Sequence, residues 1–135
     1  MELKRVVVTG LGAVTPVGNN PEETWNNLVN GVSGAAPITL FDASKFKTQF
    51  GCEVKNLNFA EYIDRKEMRK MDRYTQLAFV SAIQAVKDSE MNLDTIDKTR
   101  VGVIFGVGIG GIKTFEDEVK YYGVNEENGP KFNPF

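Results

Sequence analysis

Residues 6–18, which read V-V-V-T-G-L-G-A-V-T-P-V-G, decide the fold class of this chain. The run opens with three consecutive valines, and such a β-branched run favours a strand that is buried on both faces. Gly10 and Gly12 then let the backbone turn tightly beside a packed strand. A buried strand that ends in a glycine turn is typical of α/β proteins, in which strands alternate with helices.

A helix is predicted directly after this stretch, over about residues 21–30. Asn20 can cap its first turn, and Glu23 sits where the carboxylate of a capping box would reach back. Pro21 suits the first helical position, because its ring fixes a helical backbone angle. The apolar face of this helix would consist of Trp25, Leu28 and Val29.

Later segments continue the alternation of strands and helices. Residues 50–54 alternate apolar and other side chains, which predicts a half-buried strand, and residues 101–107 predict a second buried strand. Residues 74–89 predict the longest helix. Apolar side chains occupy nearly all of its faces, so we expect it to lie inside a core. Three or so strands are few for a self-sufficient parallel sheet, so we expect either partners or a continuation of the chain. The last helix would carry an apolar stripe of Ile112, Phe115, Val119 and Tyr122.

Composition excludes several classes of function. A chain of 135 residues fits one domain, and a net charge of −2 gives no overall reason to expect nucleic acid as a partner. No apolar run of about 18 residues is present, so a membrane span is not predicted. A single cysteine cannot form an internal disulfide, which fits the reducing cytoplasm where we expect this protein.

The absence of histidine is a strong constraint on chemistry. It removes the commonest general base, so a Ser-His-Asp or Cys-His arrangement cannot be built from this chain alone. Cys52, the only thiol, lies in a predicted strand and is interpreted as a buried strand thiol rather than a nucleophile. We therefore expect no catalytic residue and no metal site in these residues, and interpret the chain as the N-terminal portion of a larger catalyst.

Two glycine motifs allow more than one interpretation. Gly10-Leu11-Gly12 follows a strand as a dinucleotide-binding motif does, but Thr15 occupies the third glycine's place and the helix begins too late to face a pyrophosphate. Residues 106–111, G-V-G-I-G-G, lack the Lys-Ser/Thr spacing of a phosphate-binding loop. They predict a flexible turn, or a turn that lets the side chain of Ile109 swing as a gate at a hydrophobic pocket.

Residues 65–73, R-K-E-M-R-K-M-D-R, form the notable charge cluster. If the segment is helical, it places like charges four residues apart, at a cost of roughly 0.2–0.5 kcal/mol per pair. A solvated helix more often alternates its charge signs, so an acidic partner and a plain solvated surface both remain open. Nucleic acid fits poorly, because the chain as a whole is slightly acidic.

Together these motifs resemble the beta-ketoacyl-acyl-carrier-protein synthases, the elongating condensing enzymes of fatty-acid synthesis. The resemblance covers nearly the whole chain, in matching order and spacing. It is carried by residues 5–18 (R-V-V-V-T-G-L-G-A-V-T-P-V-G), 20–25 (N-P-E-E-T-W), 65–73 and 106–111.

The resemblance implies an α/β fold of the thiolase-like kind, in which two similar halves form a layered helix–sheet–helix–sheet–helix stack, usually in a homodimer. The family runs to roughly three times the present length. Residues 1–135 would then be a partial N-terminal synthase domain, an incomplete first half of that fold.

The resemblance also implies a reaction without redox or metal cofactor. An acyl chain moves from acyl carrier protein to a cysteine nucleophile; malonyl-carrier protein then loses CO2, and the resulting carbanion attacks the acyl thioester. In the family, that cysteine and two assisting histidines lie downstream of the region matched here. A non-catalytic relative, the chain-length-determining partner of polyketide synthases, remains the alternative.

Two roles carry over to residues of this chain. Lys66, Arg69 and Lys70 match the basic patch on which the acidic carrier protein docks, so the resemblance implies an encounter surface there. Ile109 matches the residue that gates the acyl pocket. Phe135 matches an aromatic residue that reaches the partner subunit's pocket, although its motif is cut off at the end of the sequence.

Overall fold

The computed structural model describes residues 3–129, in which helices predominate. The sheet in this part of the chain is a short antiparallel ladder that pairs Ala35 with Cys52 and Pro37 with Phe50. None of the helices in the described range has the length and apolar character needed to cross a membrane. In chain order the elements are α1 Pro21–Val29, β1 Ala35–Pro37, β2 Phe50–Cys52, α2 Arg65–Met68, α3 Arg73–Asp88 and α4 Ile112–Val124, with short 3-10 helices at Phe59–Glu61, Lys98–Arg100 and Glu126–Asn128.

The chain divides into two compact units. Within the described range, the first unit contains residues 3–58 and Val80–Ile96, and the second contains Phe59–Phe79 and residues 97–129. The boundary falls inside α3, so each unit contains one part of the longest helix.

Helix α1 begins at Pro21, as predicted, and ends one residue before the predicted end. The Asn20 side chain accepts a hydrogen bond from the Glu23 amide at 2.8 Å. In return the Glu23 carboxylate accepts from the amide of Asn19 at 2.7 Å, one residue before the position that a capping box uses. The cap is therefore confirmed in kind, with the reciprocal bond displaced by one residue.

In the first unit, the glycine turn after residues 6–8 lies directly on α3. A Cβ atom on Gly12 would overlap the carbonyl group of Ser81 and lie 2.9 Å from the amide nitrogen of Ala85, and one on Gly10 would lie 2.6 Å from the nitrogen of Ser89. Only glycine permits two backbones to approach so closely. The prediction of a tight glycine turn is confirmed, and its packing partner is the helix.

Polar side chains of α3 hold the same turn in place. Gln84 accepts a hydrogen bond from the amide of Ala13 at 3.0 Å and donates one to the carbonyl oxygen of Asn19 at 2.7 Å. Asp88, one turn later, accepts from the amide of Leu11 at 2.8 Å. These bonds satisfy backbone groups that a strand would have paired in a sheet.

The prediction of buried strands at residues 6–8 and 101–107 is wrong for the described part of the chain. Neither segment forms a ladder there, and Val6 and Ile104 are 89% and 97% exposed. The physical reason is that a strand forms only against a neighbour that shares its backbone hydrogen bonds, and no segment within residues 3–129 supplies one for either run. The apolar pattern predicts a burial that these residues do not provide by themselves.

Helix α3, predicted over residues 74–89, is confirmed to within one residue at each end. Its expected burial is only partly found, because Val80 alone among its residues is fully buried and most of the others are half-buried. The apolar stripe of α4 is exposed along its length, as is the apolar face of α1. Over the described range, the buried apolar residues are Ala43, Ile63 and Val80.

Candidate functional site

The basic segment, residues 65–73, contains a single turn of helix. Asp64 caps α2 by accepting a hydrogen bond from the amide of Lys66 at 2.8 Å. After Met68 the backbone bonds shorten to an i to i+3 pattern, from Lys70 to Glu67 at 3.0 Å. One helix that would hold like charges four residues apart along the whole segment therefore does not form.

Gln76, in the first turns of α3, fixes the end of the basic segment. Its side-chain amide nitrogen donates to the carbonyl oxygens of Met68 and Met71, both at 3.0 Å. These carbonyls lie where α2 stops, so the side chain satisfies groups that a continuing helix would have used. The basic segment is thereby bonded to the start of α3.

The cations of the basic segment differ in what surrounds them. Lys66 and Arg69 are exposed, and within residues 3–129 no carboxylate lies at ion-pair distance from either. Lys70 forms an exposed ion pair with Glu67 at 2.8 Å. The guanidinium of Arg73 stands 5.7 Å from the ring centre of Phe59, a cation–π distance. Of these four cations, Lys66 and Arg69 therefore face solvent without an ion pair in the described range, and Lys70 is partly neutralised.

The glycine loop, residues 106–111, belongs to the same unit and leads into α4. Gly110 adopts a φ of +75°, a conformation that strongly favours glycine, and Ile109 before it is 76% exposed. The Gly110 carbonyl accepts a hydrogen bond from the amide of Ile112 at 2.9 Å. A Cβ at Gly110 would lie 3.6 Å from the ring of Tyr74, so the loop passes beside the start of α3.

Asp72, the residue before α3, joins the basic segment to the glycine loop. The hydroxyl of Thr114 donates a hydrogen bond to one oxygen of its carboxylate. The other oxygen faces Gly111, where an added Cβ would overlap it and lie 3.2 Å from the carboxylate carbon. Asp72 and Thr114 are both half-buried, so their hydrogen bond is shielded from competing water.

Ion pairs on α4 set the electrostatics beside the glycine loop. The hydrogen bond from the Lys120 ammonium, with its charge, lowers the pKa of the Glu116 carboxyl. The hydrogen bond to Asp117 raises the pKa of the Lys113 ammonium. Glu116 and Lys120 stand four residues apart on α4, the spacing at which opposite charges meet on one face of a helix.

Of the predicted site residues, three lie together on the basic segment: Lys66, Arg69 and Lys70. Ile109 lies on the glycine loop, and Phe135 falls outside the described residues. Sequence reasoning missed Asp72, Gln76 and Thr114 as organising side chains. Asp72 had the signal of one of only two acids within a basic run, just before a predicted helix.

The interpretation of Cys52 as a buried thiol is wrong, because its side chain is exposed. Strand β2 does form, but its half-buried residue is Gly51, where an added Cβ would lie 3.4 Å from the side chain of Ile38, and its two outer positions face solvent. A two-stranded ladder has no layer to cover its second face, so the alternation could not fix which side is inward. In the described part of the chain, no group of three or more cysteine or acidic side chains is arranged to hold a metal ion.

Comparison with known families decides what kind of protein carries these features. Residues 3–133 match the model of the beta-ketoacyl synthase N-terminal domain. The chain belongs to the beta-ketoacyl synthase family. The resemblance drawn from the sequence motifs is thereby confirmed over nearly the whole chain.

Relatives with assigned functions support the same family. A 3-oxoacyl-[acyl-carrier-protein] synthase 2 from Synechocystis sp. is 44% identical over 118 residues, which is 87% of this chain and 28% of the relative. The Staphylococcus aureus protein of the same name is 46% identical over 113 residues, which is 84% of this chain and 27% of the relative. The chain thus spans a little over a quarter of the length of these synthases.

Solved structures of beta-ketoacyl synthase relatives share the fold. The ishigamide ketosynthase/chain length factor matches with a TM-score of 0.80 and 28% identity, over 89% of this chain and 30% of that one. A type II PKS acyl-carrier protein in complex with its ketosynthase matches with a TM-score of 0.73 and 30% identity, over 96% of this chain and 33% of that one. The predicted fold class, part of a thiolase-like α/β fold, is confirmed by these likenesses.

Proposed function

We propose that this chain is the N-terminal part of a 3-oxoacyl-[acyl-carrier-protein] synthase of fatty-acid biosynthesis. The proposal is supported by family membership and by relatives of that name at 44–46% identity. The observation that carries it is the basic segment, where Lys66 and Arg69 present charges without carboxylate partners in the described range. Uncompensated cations on a short turn suit an acidic macromolecular partner.

The reaction proposed for the complete protein is a decarboxylative condensation. The acyl group leaves the thiol of its carrier protein and forms a thioester with an enzyme cysteine. The bond between the malonyl methylene carbon and its carboxylate then breaks, CO2 departs, and the electron pair of that bond attacks the acyl carbonyl carbon. The new carbon–carbon bond displaces the cysteine thiolate, so the sequence needs no oxidant or reductant.

In this proposal the present residues supply the carrier-protein entrance and the acyl-pocket gate, not the reactive groups. Lys66, Arg69 and Lys70 dock the carrier protein by charge complementarity. Ile109 gates the acyl chain, and the two glycines beside it give the backbone the freedom that such a movement requires. Phe135 takes the role of the family's aromatic residue at the acyl pocket of the partner subunit. The complete enzyme is a homodimer and works in the cytoplasm.

The test is a condensation assay with the complete protein to which this sequence belongs. Incubation with acyl- and malonyl-carrier protein should release CO2 and yield 3-oxoacyl-carrier protein, whereas residues 1–135 alone should give no turnover. Turnover by residues 1–135 alone would show that the assignment of the chemistry to other residues is wrong. Sedimentation of the complete protein tests the homodimer.

A second candidate is a non-catalytic partner of a polyketide synthase. It is favoured by one observation, the TM-score of 0.80 to a ketosynthase/chain length factor. Acylation distinguishes the two functions, because a condensing enzyme gains the mass of one acyl group from acyl-carrier protein and a chain length factor does not. A complete protein that binds the carrier but never acquires an acyl group would identify the second function.

A further inference from the structure

One carboxylate of the basic segment is hydrogen-bonded to the first turn of α4 and lies against Gly111, the last residue of the glycine loop. Within the second unit, Asp72 is the last residue before α3 and lies next to Arg73, the final cation of the segment. Its carboxylate accepts the hydrogen bond of Thr114, in the first turn of α4. That interaction spans 42 positions of sequence, so it fixes tertiary rather than local structure.

The carboxylate of Asp72 and the glycine loop lie too close together for any side chain to fit between them. At Gly111 even one added carbon would overlap a carboxylate oxygen of Asp72. On the other side of Arg73, the ring of Tyr74 lies 3.6 Å from the Cβ position of Gly110. Two residues that flank Arg73 therefore hold both glycines that follow Ile109.

The basic segment is itself rigid up to Asp72. Gln76 donates to the carbonyls of Met68 and Met71 at 3.0 Å, and its own amide donates to the carbonyl of Asp72 at 3.1 Å. A displacement of Arg69 or Lys70 is therefore carried to Asp72 rather than absorbed by a loose turn. A connection made of several hydrogen bonds in series can transmit such a displacement.

We propose that Asp72 is a positioning residue that couples carrier-protein docking to the gate of the acyl pocket. The inference rests on the proposed function, because it takes the basic segment as the docking surface and Ile109 as the gate. Docking moves the basic segment, Asp72 moves with it, and the hydrogen bond to Thr114 shifts the glycine loop. Energetic coupling of this kind requires an element whose state both sites influence, and the joint of Asp72, Gly111 and Thr114 is that element.

The test is amide hydrogen exchange of residues 106–111 in the complete protein, with and without acyl-carrier protein. Thr114→Val keeps the side-chain shape but removes the hydroxyl donor, whereas Thr114→Ser keeps the hydroxyl and serves as the matched control. Without carrier protein, Thr114→Val should raise the exchange rate of these amides by about three- to tenfold, and Thr114→Ser should leave it within about twofold.

Carrier protein provides the second half of the test. In the wild type and in Thr114→Ser, binding should change the exchange of residues 106–111; in Thr114→Val the carrier should still bind, because the docking cations are intact, but the change should vanish. Equal exchange in the Val and Ser variants, or a carrier-induced change that persists in Thr114→Val, would overturn the inference. A wild type that does not bind carrier protein would refute the proposed function instead, and the exchange comparison without carrier would still decide whether Asp72 positions the loop.

Discussion

Gln84 bridges two points of the segment that follows residues 6–8. Its side chain accepts a hydrogen bond from the amide of Ala13 at 3.0 Å and donates one to the carbonyl oxygen of Asn19 at 2.7 Å. Replacement by methionine keeps the length of the side chain and removes both bonds. Because it leaves two part-buried backbone groups unsatisfied, Gln84→Met should lower the free energy of unfolding by about 1–3 kcal/mol in a urea titration. Lys87→Gln, an exposed change on the same helix, should shift it by less than about 0.5 kcal/mol. Equal effects of the two changes would contradict a bridging role for Gln84.

Gly12 should tolerate no side chain, because a Cβ there would overlap the Ser81 carbonyl. Gly12→Ala should lower the midpoint of thermal unfolding by an amount equivalent to about 1–3 kcal/mol. Gly123, in the last turn of α4, has open space around its Cβ position, so Gly123→Ala should be neutral or stabilise by up to about 1 kcal/mol through helix propensity. A Gly12→Ala protein as stable as Gly123→Ala would disprove the close packing of the glycine turn after residues 6–8 on α3.

The three cations of the proposed docking surface, Lys66, Arg69 and Lys70, should not be equivalent. Lys66→Glu and Arg69→Glu should each weaken carrier-protein binding about tenfold at low salt, and the loss should shrink as salt screens the charges. Lys70→Glu should cost less, because Glu67 already compensates part of that charge at 2.8 Å. Titration calorimetry over a salt series measures all three, with Lys98→Glu as a control away from the basic segment. If carrier-protein affinity is the same for the wild type and these variants at every salt concentration, the basic segment is not the docking surface.

Glu67→Gln provides a test in the opposite direction. Neutralising Glu67 releases Lys70 from its ion pair and removes a negative charge that would face an acidic partner. Carrier-protein binding should therefore strengthen by about two- to threefold, with little change in stability because exposed ion pairs contribute little. A weakened affinity would indicate that the pair orders the docking surface rather than competing with it.

The pH dependence of α4 follows from its two ion pairs. The pKa of Glu116 is lowered, so its contribution is present above its ordinary value of 4.5 and is lost as the pH falls through the lowered pKa. The pKa of Lys113 is raised, so its contribution is complete below its ordinary value of 10.5 and is lost as the pH rises through the raised pKa. Protection of the α4 amides should thus be greatest between these limits. Glu116→Gln should reduce the acid-side loss, whereas Glu118→Gln should not. An unchanged acid limb in Glu116→Gln would exclude the pair of Glu116 and Lys120 as a cause.

The sequence predicts the helices of this protein much better than its strands. The start of α1 is given by Asn20 and Pro21, and α3 by a long apolar period, because the bonds of a helix lie within the segment itself. A strand depends on a neighbour that its own sequence does not specify, so residues 6–8 and 101–107 carry the right pattern without a ladder in the described range. For the same reason the inward face of β2 was assigned incorrectly.

The candidate site shows the same difference between features that the local sequence predicts and features that depend on tertiary contacts. Charge and spacing mark the basic segment and the glycine loop, and the family resemblance selects Lys66, Arg69, Lys70 and Ile109 within them. The structure shows how Lys70 differs from the other two cations. The hydrogen bond between Asp72 and Thr114 could not be read from sequence, because only the folded chain brings the two residues together across 42 positions. Local signals name the groups, and tertiary packing decides how they are joined.

The exposed extended segment at residues 101–107 has a consequence for folding during biosynthesis. Its apolar side chains are open to solvent, and no strand within residues 3–129 shares its peptide groups. Such a segment is a template for pairing with any other extended chain, including a second newborn copy. Until a neighbouring strand pairs with residues 101–107, aggregation through this segment therefore competes with folding.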